Sequence, residues 1–336
     1  MSVELRFARP EQPDPDILDA ARIDALERLG KSLPGTARWF VDERVDRRQS
    51  TLFHLRLHQG DELLLRAFYK VHRIDESAFA SSAMTNAQTK ADSIRRVLVH
   101  GRSMADKFNQ SIESASISVP QVLTVDVERL VEVQVEVPGQ PLRPIAIERF
   151  PPRRELARRT YRLLGEAIAT IESLAPPSRL EPRLPSVAEE SWTRLGLILG
   201  GSRTSQLHHR IDELQAAVTS ACPHVCAHGD LNSGHVLASK SKVSLIDLLW
   251  ATRWRGQDLA LQAAALRAAI PESPQWSNTL IRDMLSGYGD PELYSTPQWK
   301  LIQVVRDINL AVMEPAGTRG SYRKSRAVKR LREPVS

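Results

Sequence analysis

His228-Gly229-Asp230-Leu231-Asn232-Ser233-Gly234-His235-Val236-Leu237 is the stretch whose reading decides the fold, together with Val243-Ser244-Leu245-Ile246-Asp247 after a polar turn. An apolar strand runs into a His-Gly-Asp turn, and a second apolar strand ends in Asp247. Two carboxylates at the mouths of adjacent strands, seventeen residues apart, make a site for a cation or for proton transfer. The apolar flanks supply the low dielectric in which such groups act strongly. Downstream lie Gly256 and Asp258-Leu259-Ala260.

Outward from this block the surroundings are helical. Arg154 to Leu174 carries Leu156, Tyr161, Leu164, Ala167, Ile168 and Ile171 at helical spacing. Ser191 to Leu199, Leu207 to Ala221, Leu259 to Ala269, Asn278 to Tyr288 and Gln298 to Met313 continue the pattern. The first part of the chain differs. After a Pro-rich lead, Ile17 to Leu29 predicts a short helix stopped by Gly30. Ala37 to Val45, Thr51 to Leu57 and Glu62 to Lys70 then predict strands, with a hairpin turn at Gly60. Asp75 to Gln110 reads mostly as helix, and Val119 to Val125 and Leu130 to Val137 as two further strands. Strands gathered first and helices gathered last give an α+β chain in two parts. The expected divisions are 1–137, a β-rich part; 138–314, the helical part with the turn; and 315–336, a basic, disordered tail.

The 336 residues have a formal net charge of +6. Seven basic residues in 315–336 stand against Glu333 alone, so the tail accounts for the whole excess and the rest is balanced. A nucleic-acid groove in the body would need clustered positive charge there, so nucleic acid is expected only through the tail. No run of eighteen apolar residues exists, which excludes a membrane helix. Met1 to Asp16 lacks the apolar core of a signal peptide. Two cysteines cannot staple a chain of this size, and a reducing, cytoplasmic compartment is expected.

The block from His228 to Ala260 resembles the aminoglycoside phosphotransferase and choline kinase group, with its His-Gly-Asp turn, Ile-Asp second motif and Gly…Asp-Leu-Ala element. Ser118 to Leu123, Leu130 to Gly139 and Leu163 to Ile168 resemble the family's run into the hinge and the helix beneath the turn. The resemblance implies a bilobal protein-kinase-like fold, with a small antiparallel β-sheet N-lobe and a larger, mostly helical C-lobe. It implies ATP with magnesium (manganese is the other candidate), and a hydroxyl on a small molecule as acceptor, aminoglycoside-, sugar- or choline-like. Asp230 would be the catalytic base or hydroxyl-orienting group. Asp247 would hold metal, His228 would fix the turn, Asp258 would brace it, and Val135 and Val137 would lie at the nucleotide. A kinase-like regulator that binds a nucleotide or metabolite without turnover is the alternative.

Several positions depart from the family pattern. His235 stands where the family has a metal-binding Asn. It could ligate metal, hydrogen-bond a phosphate or metal-bound water, or mark a lost second metal site. Arg66 occupies the place of the phosphate-pairing lysine, and Lys70 lies on the same strand face four residues on. No Glu stands at the helical partner position; Asp92 is the candidate, ahead of Glu76 and Asp106. The loop Asp46 to Ser50 has no glycine. Cys222, His224, Cys226 and His228 alternate, but four ligands in a row along one strand cannot close a tetrahedron. Trp250 and Trp254 are expected in packing, with the wall of a substrate pocket as the other reading.

Overall fold

The computed structural model describes residues 10–31, 36–47, 50–73, 83–112, 115–142, 151–176, 184–270, 273–313 and 317–333. The chain divides into two compact units: Met1–Glu113 with Ser118–Pro138, and Ser114–Ile117 with Gly139–Ser336. It is α+β, with an antiparallel sheet first and helices after.

The first unit opens with α1 (Pro15–Arg28), started by Asp14, whose side chain accepts from the N–H groups of Asp16 and Ile17. Pro15 at the first position loses no helical hydrogen bond. Strands β1 (Ala37–Asp46), β2 (Ser50–Gln59), β3 (Glu62–His72), β5 (Val122–Asp126) and β6 (Val131–Val135) form an antiparallel sheet in the order β1-β2-β3-β6-β5. Ile17, Ala21, Ala25 and Leu26 of α1 pack on Phe53, Leu55, Leu57, Ala67, Tyr69 and Val133. Because side chains alternate, the residues between these, Arg66, Phe68, Lys70 and Glu132 among them, take the other face. α2 (Ala83–Ser111) packs beside this sheet and buries Leu98 with Leu130. The expected helix start at Asp75 lies outside the described residues.

In the second unit β4 (Ile117–Ser118), β7 (Gln140–Pro141), β9 (Val236–Ala238) and β10 (Val243–Leu245) form a small sheet in the order β4-β10-β9-β7. β8 (His224–Ala227) pairs with β11 (Ala251–Trp254). The helices are α3 (Pro151–Ser173), α4 (Glu189–Leu199), α5 (Gly201–Ala221), α6 (Gln257–Ala269), α7 (Pro274–Tyr288), α8 (Pro297–Val312) and α9 (Gly317–Arg332). α3 and α7 approach so closely that a Cβ at Gly165 would overlap the Met284 carbonyl, and one at Gly287 the Arg162 carbonyl. The Arg158 guanidinium holds the buried Asp283 carboxylate with two bonds, 2.8 and 3.2 Å. Among the described residues no helix is long and apolar enough to cross a membrane.

The basic run 315–336 corrects an expectation. It carries α9, not a disordered tail. Ala327 and Leu331, four residues apart, are buried in one cluster with Leu207, Ile211, Leu301 and Ile308. Arg330 holds Asp307 of α8 with a fork of two bonds, 2.7 and 2.5 Å, and Arg203 donates to the Leu331 carbonyl at 2.8 Å. The charge count hid an apolar i, i+4 pair that is enough to dock a helix. Leu331→Ala is expected to lower unfolding free energy by about 2–3 kcal/mol in urea. An unchanged midpoint would show that the helix contributes nothing to the core.

Candidate active site

The His-Gly-Asp turn leaves β8 and is pinned from behind. The Gly229 N–H donates to the Asp258 carboxylate at 3.2 Å, and Arg253 donates to the Gly229 carbonyl at 3.1 Å. Gly229 has φ +87°, and a Cβ there would lie 2.8 Å from that of Ala251, so the turn admits only glycine. Asp258, in the first turn of α6, is 1 % exposed. Burial raises its carboxyl above the usual range, while the Gly229 N–H and the Arg253 guanidinium pull it back. His228 is fully buried, and burial, then the neighbouring His235, push its imidazole down to about 4. It is therefore neutral at pH 7, with Nδ1 facing the Asp230 N–H at 3.4 Å.

What these fixtures display is exposed. The Asp230 side chain is 59 % accessible. His235 sits between the two carboxylates, its Nδ1 3.6 Å from Asp230 Oδ2 and its Nε2 3.4 Å from Asp247 Oδ2. Nδ1 also lies 2.8 Å from the Asp230 carbonyl. The Asn232 amide nitrogen also reaches Nδ1, at 2.9 Å, so the ring is held on its Nδ1 side by the turn while Nε2 faces Asp247. Asn232 closes the turn, accepting from the Gly234 N–H at 2.8 Å. Asp247 adopts φ +55°, a left-handed conformation that Asp tolerates better than most residues and that often marks a site.

Asp247 and His235 Nε2 thus form a two-member set of oxygen and nitrogen donors, with Asp230 on the far side of the ring. Among the described residues no group of three such side chains converges on one point. A divalent ion with one or two protein ligands, completed by phosphates and water, fits this set. The imidazole donor suits manganese better than magnesium.

A second layer lies below. Glu172, on α3, accepts from the Gly256 N–H at 2.9 Å and from the Tyr288 hydroxyl. Burial pushes its carboxyl up to about 7, against the pull of those two donors. It fixes the residue that precedes Gln257 and Asp258. Sequence reasoning passed over Glu172 and Arg253. Glu172 could have been found as an acid four residues after Ile168 on an otherwise apolar stripe; Arg253 left no comparable signal.

On the first unit, Lys70 of β3 lies directly opposite Glu132 of β6, 3.4 Å away. His72 and Gln134 also reach that carboxylate, at 3.0 and 2.7 Å. Burial alone would raise the Glu132 carboxyl, but Lys70, His72 and Gln134 outweigh it and hold it at about 2. Lys70 therefore has a strand acid as partner. Of the helical candidates, Asp92 pairs with Arg95 and Asp106 with Arg28, while Glu76 lies outside the described residues. Arg66 is exposed on the same face. The Val135 N–H is committed to the Gln121 carbonyl, 2.8 Å, and Val137 is half-buried two residues on. Trp250 and Trp254 are buried, so both are packing residues, and His224 lies edge-on to Trp254.

The structure brings Asp230, His235, Asp247, His228 and Asp258 together in the second unit, and sets Lys70 with Glu132, four residues from Arg66, in the first. Because Glu132 is held near 2 in the fold and near 4.5 otherwise, its stabilisation is full above about pH 4.5 and is lost as pH falls toward 2. Glu132→Gln is expected to cost about 3 kcal/mol at pH 7 in urea unfolding, and the gap from wild type is expected to narrow from pH 4.5 downward. A gap independent of pH would contradict the ion pair.

A search of curated proteins returns no match. Among solved structures, the chain is 16 % identical to a macrolide 2′-phosphotransferase from Brachybacterium faecium, covering 96 % of this chain and 100 % of that one at a TM-score of 0.45. It is 13 % identical to a choline kinase from Streptococcus pneumoniae, covering 91 % and 95 % at 0.44. It is 12 % identical to an ADP-bound aminoglycoside phosphotransferase, covering 96 % and 97 % at 0.42. The model of the phosphotransferase enzyme family matches residues 104–294, more than half of the chain and the whole of the pinned turn. This chain belongs to the phosphotransferase enzyme family.

Proposed function

We propose that the protein transfers the terminal phosphoryl group of ATP to a hydroxyl on a small molecule. The observation that carries this reading is an exposed Asp230 on a turn pinned by the buried Asp258 and the half-buried Arg253, beside the Asp247–His235 pair. Phosphoryl transfer asks little covalent chemistry of the protein; it asks for position and for charge opposite the phosphates.

Asp230 accepts a hydrogen bond from the acceptor hydroxyl, aligns its oxygen, and takes the proton as the bond to phosphorus forms. Asp247 and His235 Nε2 would hold the divalent ion, manganese or magnesium, whose charge when bound offsets that of the phosphates. His235 Nδ1, tied to the Asp230 carbonyl, couples the orientation of the two motifs. Lys70 and Arg66 are the phosphate-binding cations of the first unit: Lys70 as a point charge held by Glu132, Arg66 as a fork. Val135 and Val137 are the proposed nucleotide-contact positions. The Val135 N–H is already engaged by the Gln121 carbonyl.

The test is acceptor-dependent ADP release over a panel of aminoglycosides, macrolides, sugars and choline-like amines, with either metal. Asp230→Asn is expected to lower kcat by about 10²–10⁴-fold with nucleotide affinity retained. Equal turnover by wild type and variant would refute the role of Asp230. No release with any acceptor would move the chain toward a nucleotide-binding regulator.

A further inference from the structure

Away from the turn, a cavity of about 320 Å³ opens between the last turn of α6, the first turns of α7, and α9. Its walls carry three guanidinium groups, Arg267, Arg326 and Arg330, together with Ser277 and Asn278. The volume is that of a small ligand pocket.

The charge here is unbalanced. Arg330 is forked onto Asp307. Arg267 donates to the neutral amide oxygen of Gln303 at 2.9 Å. Burial, and then the Arg330 guanidinium, pull Arg267 below the ordinary arginine range, with Asp307 acting in the other direction. Arg326 makes no hydrogen bond or ion pair among the described residues, and the Asn278 side-chain amide is likewise free among them. Among the described residues these three cations stand against two acids, Asp307 in the fork and Glu333 acting on Arg330 through space. Like charges gathered in this way raise the energy of the empty pocket and lower it when an anion enters. The wall also includes Pro274 and Ser277 of the first turns of α7, whose N-terminal end carries partial positive charge.

We propose that this cavity binds a small phosphorylated anion at a site separate from the catalytic turn. Arginine forks match phosphate oxygens in pairs, and the space beyond one phosphate admits a second phosphate or a small organic group. Such an occupant would tie α9 to α6 and α7. It would grip the C-terminal end of the helix whose first turn supplies Asp258. The basic residues of the C-terminal segment then serve a built pocket and not a diffuse charged surface.

The experiment is titration calorimetry of pyrophosphate into the full chain, in EDTA and at constant ionic strength, so that no metal-dependent site takes part. Saturable binding is expected, weakened at least tenfold in Arg326→Gln and in Arg267→Gln. Among the described residues Arg326 has no partner to lose, so that variant should melt as wild type does without ligand. Metal-dependent ATP binding, measured separately, should be unchanged in it. No saturable heat with wild type, or wild-type affinity retained in both variants, would overturn the proposal. So would an Arg326-dependent affinity for a DNA or RNA oligonucleotide with none for pyrophosphate.

Discussion

A buried carboxylate accepting one backbone N–H holds the site together. Asp258 is nearly inaccessible, and a carboxylate there is costly unless its charge is met by donors. The Gly229 N–H meets it, and Arg253, which itself holds the Gly229 carbonyl, acts on it electrostatically. The same contacts fix a turn that only glycine can make. Glu172 and Tyr288 secure the preceding Gly256 in turn. The interior of the second unit spends its polar groups on backbone geometry, and the exposed carboxylate of Asp230 gains its position without having to be buried.

That division separates support from chemistry. His228 and Asp258 are buried and act on the backbone. Asp230, Asp247 and His235 are reached by solvent and keep the charge or lone pairs that the proposed reaction would use. His235 belongs to both groups, since one ring nitrogen is tied to the main chain and the other faces Asp247. An Asn in its place would offer an oxygen ligand; the imidazole offers a nitrogen and a different metal preference.

The order of elements was legible because strand alternation and helical spacing are local properties. Thr51 to Leu57 and Glu62 to Lys70 carry their period openly, as does Arg154 to Leu174. The motif block was legible because its residues are close in sequence. Partnerships set by register were not. Glu132 meets Lys70 across β3 and β6, sixty-two positions away in the chain, and no spacing rule identifies that pairing. Composition misled at the C-terminus: a count of charges over 315–336 weighs seven basic residues and overlooks Ala327 and Leu331, whose burial decides that the segment is a docked helix.

The account turns on Asp247 and His235 as the place where metal and nucleotide are held. The most direct measurement is calorimetric titration of ATP with magnesium, and separately with manganese, into the wild-type protein and Asp247→Ala. The account predicts saturable binding that requires the metal, is tighter with manganese, and weakens at least tenfold in the variant, about 1.4 kcal/mol or more. Metal-independent binding, or equal affinity in the two proteins, would contradict it.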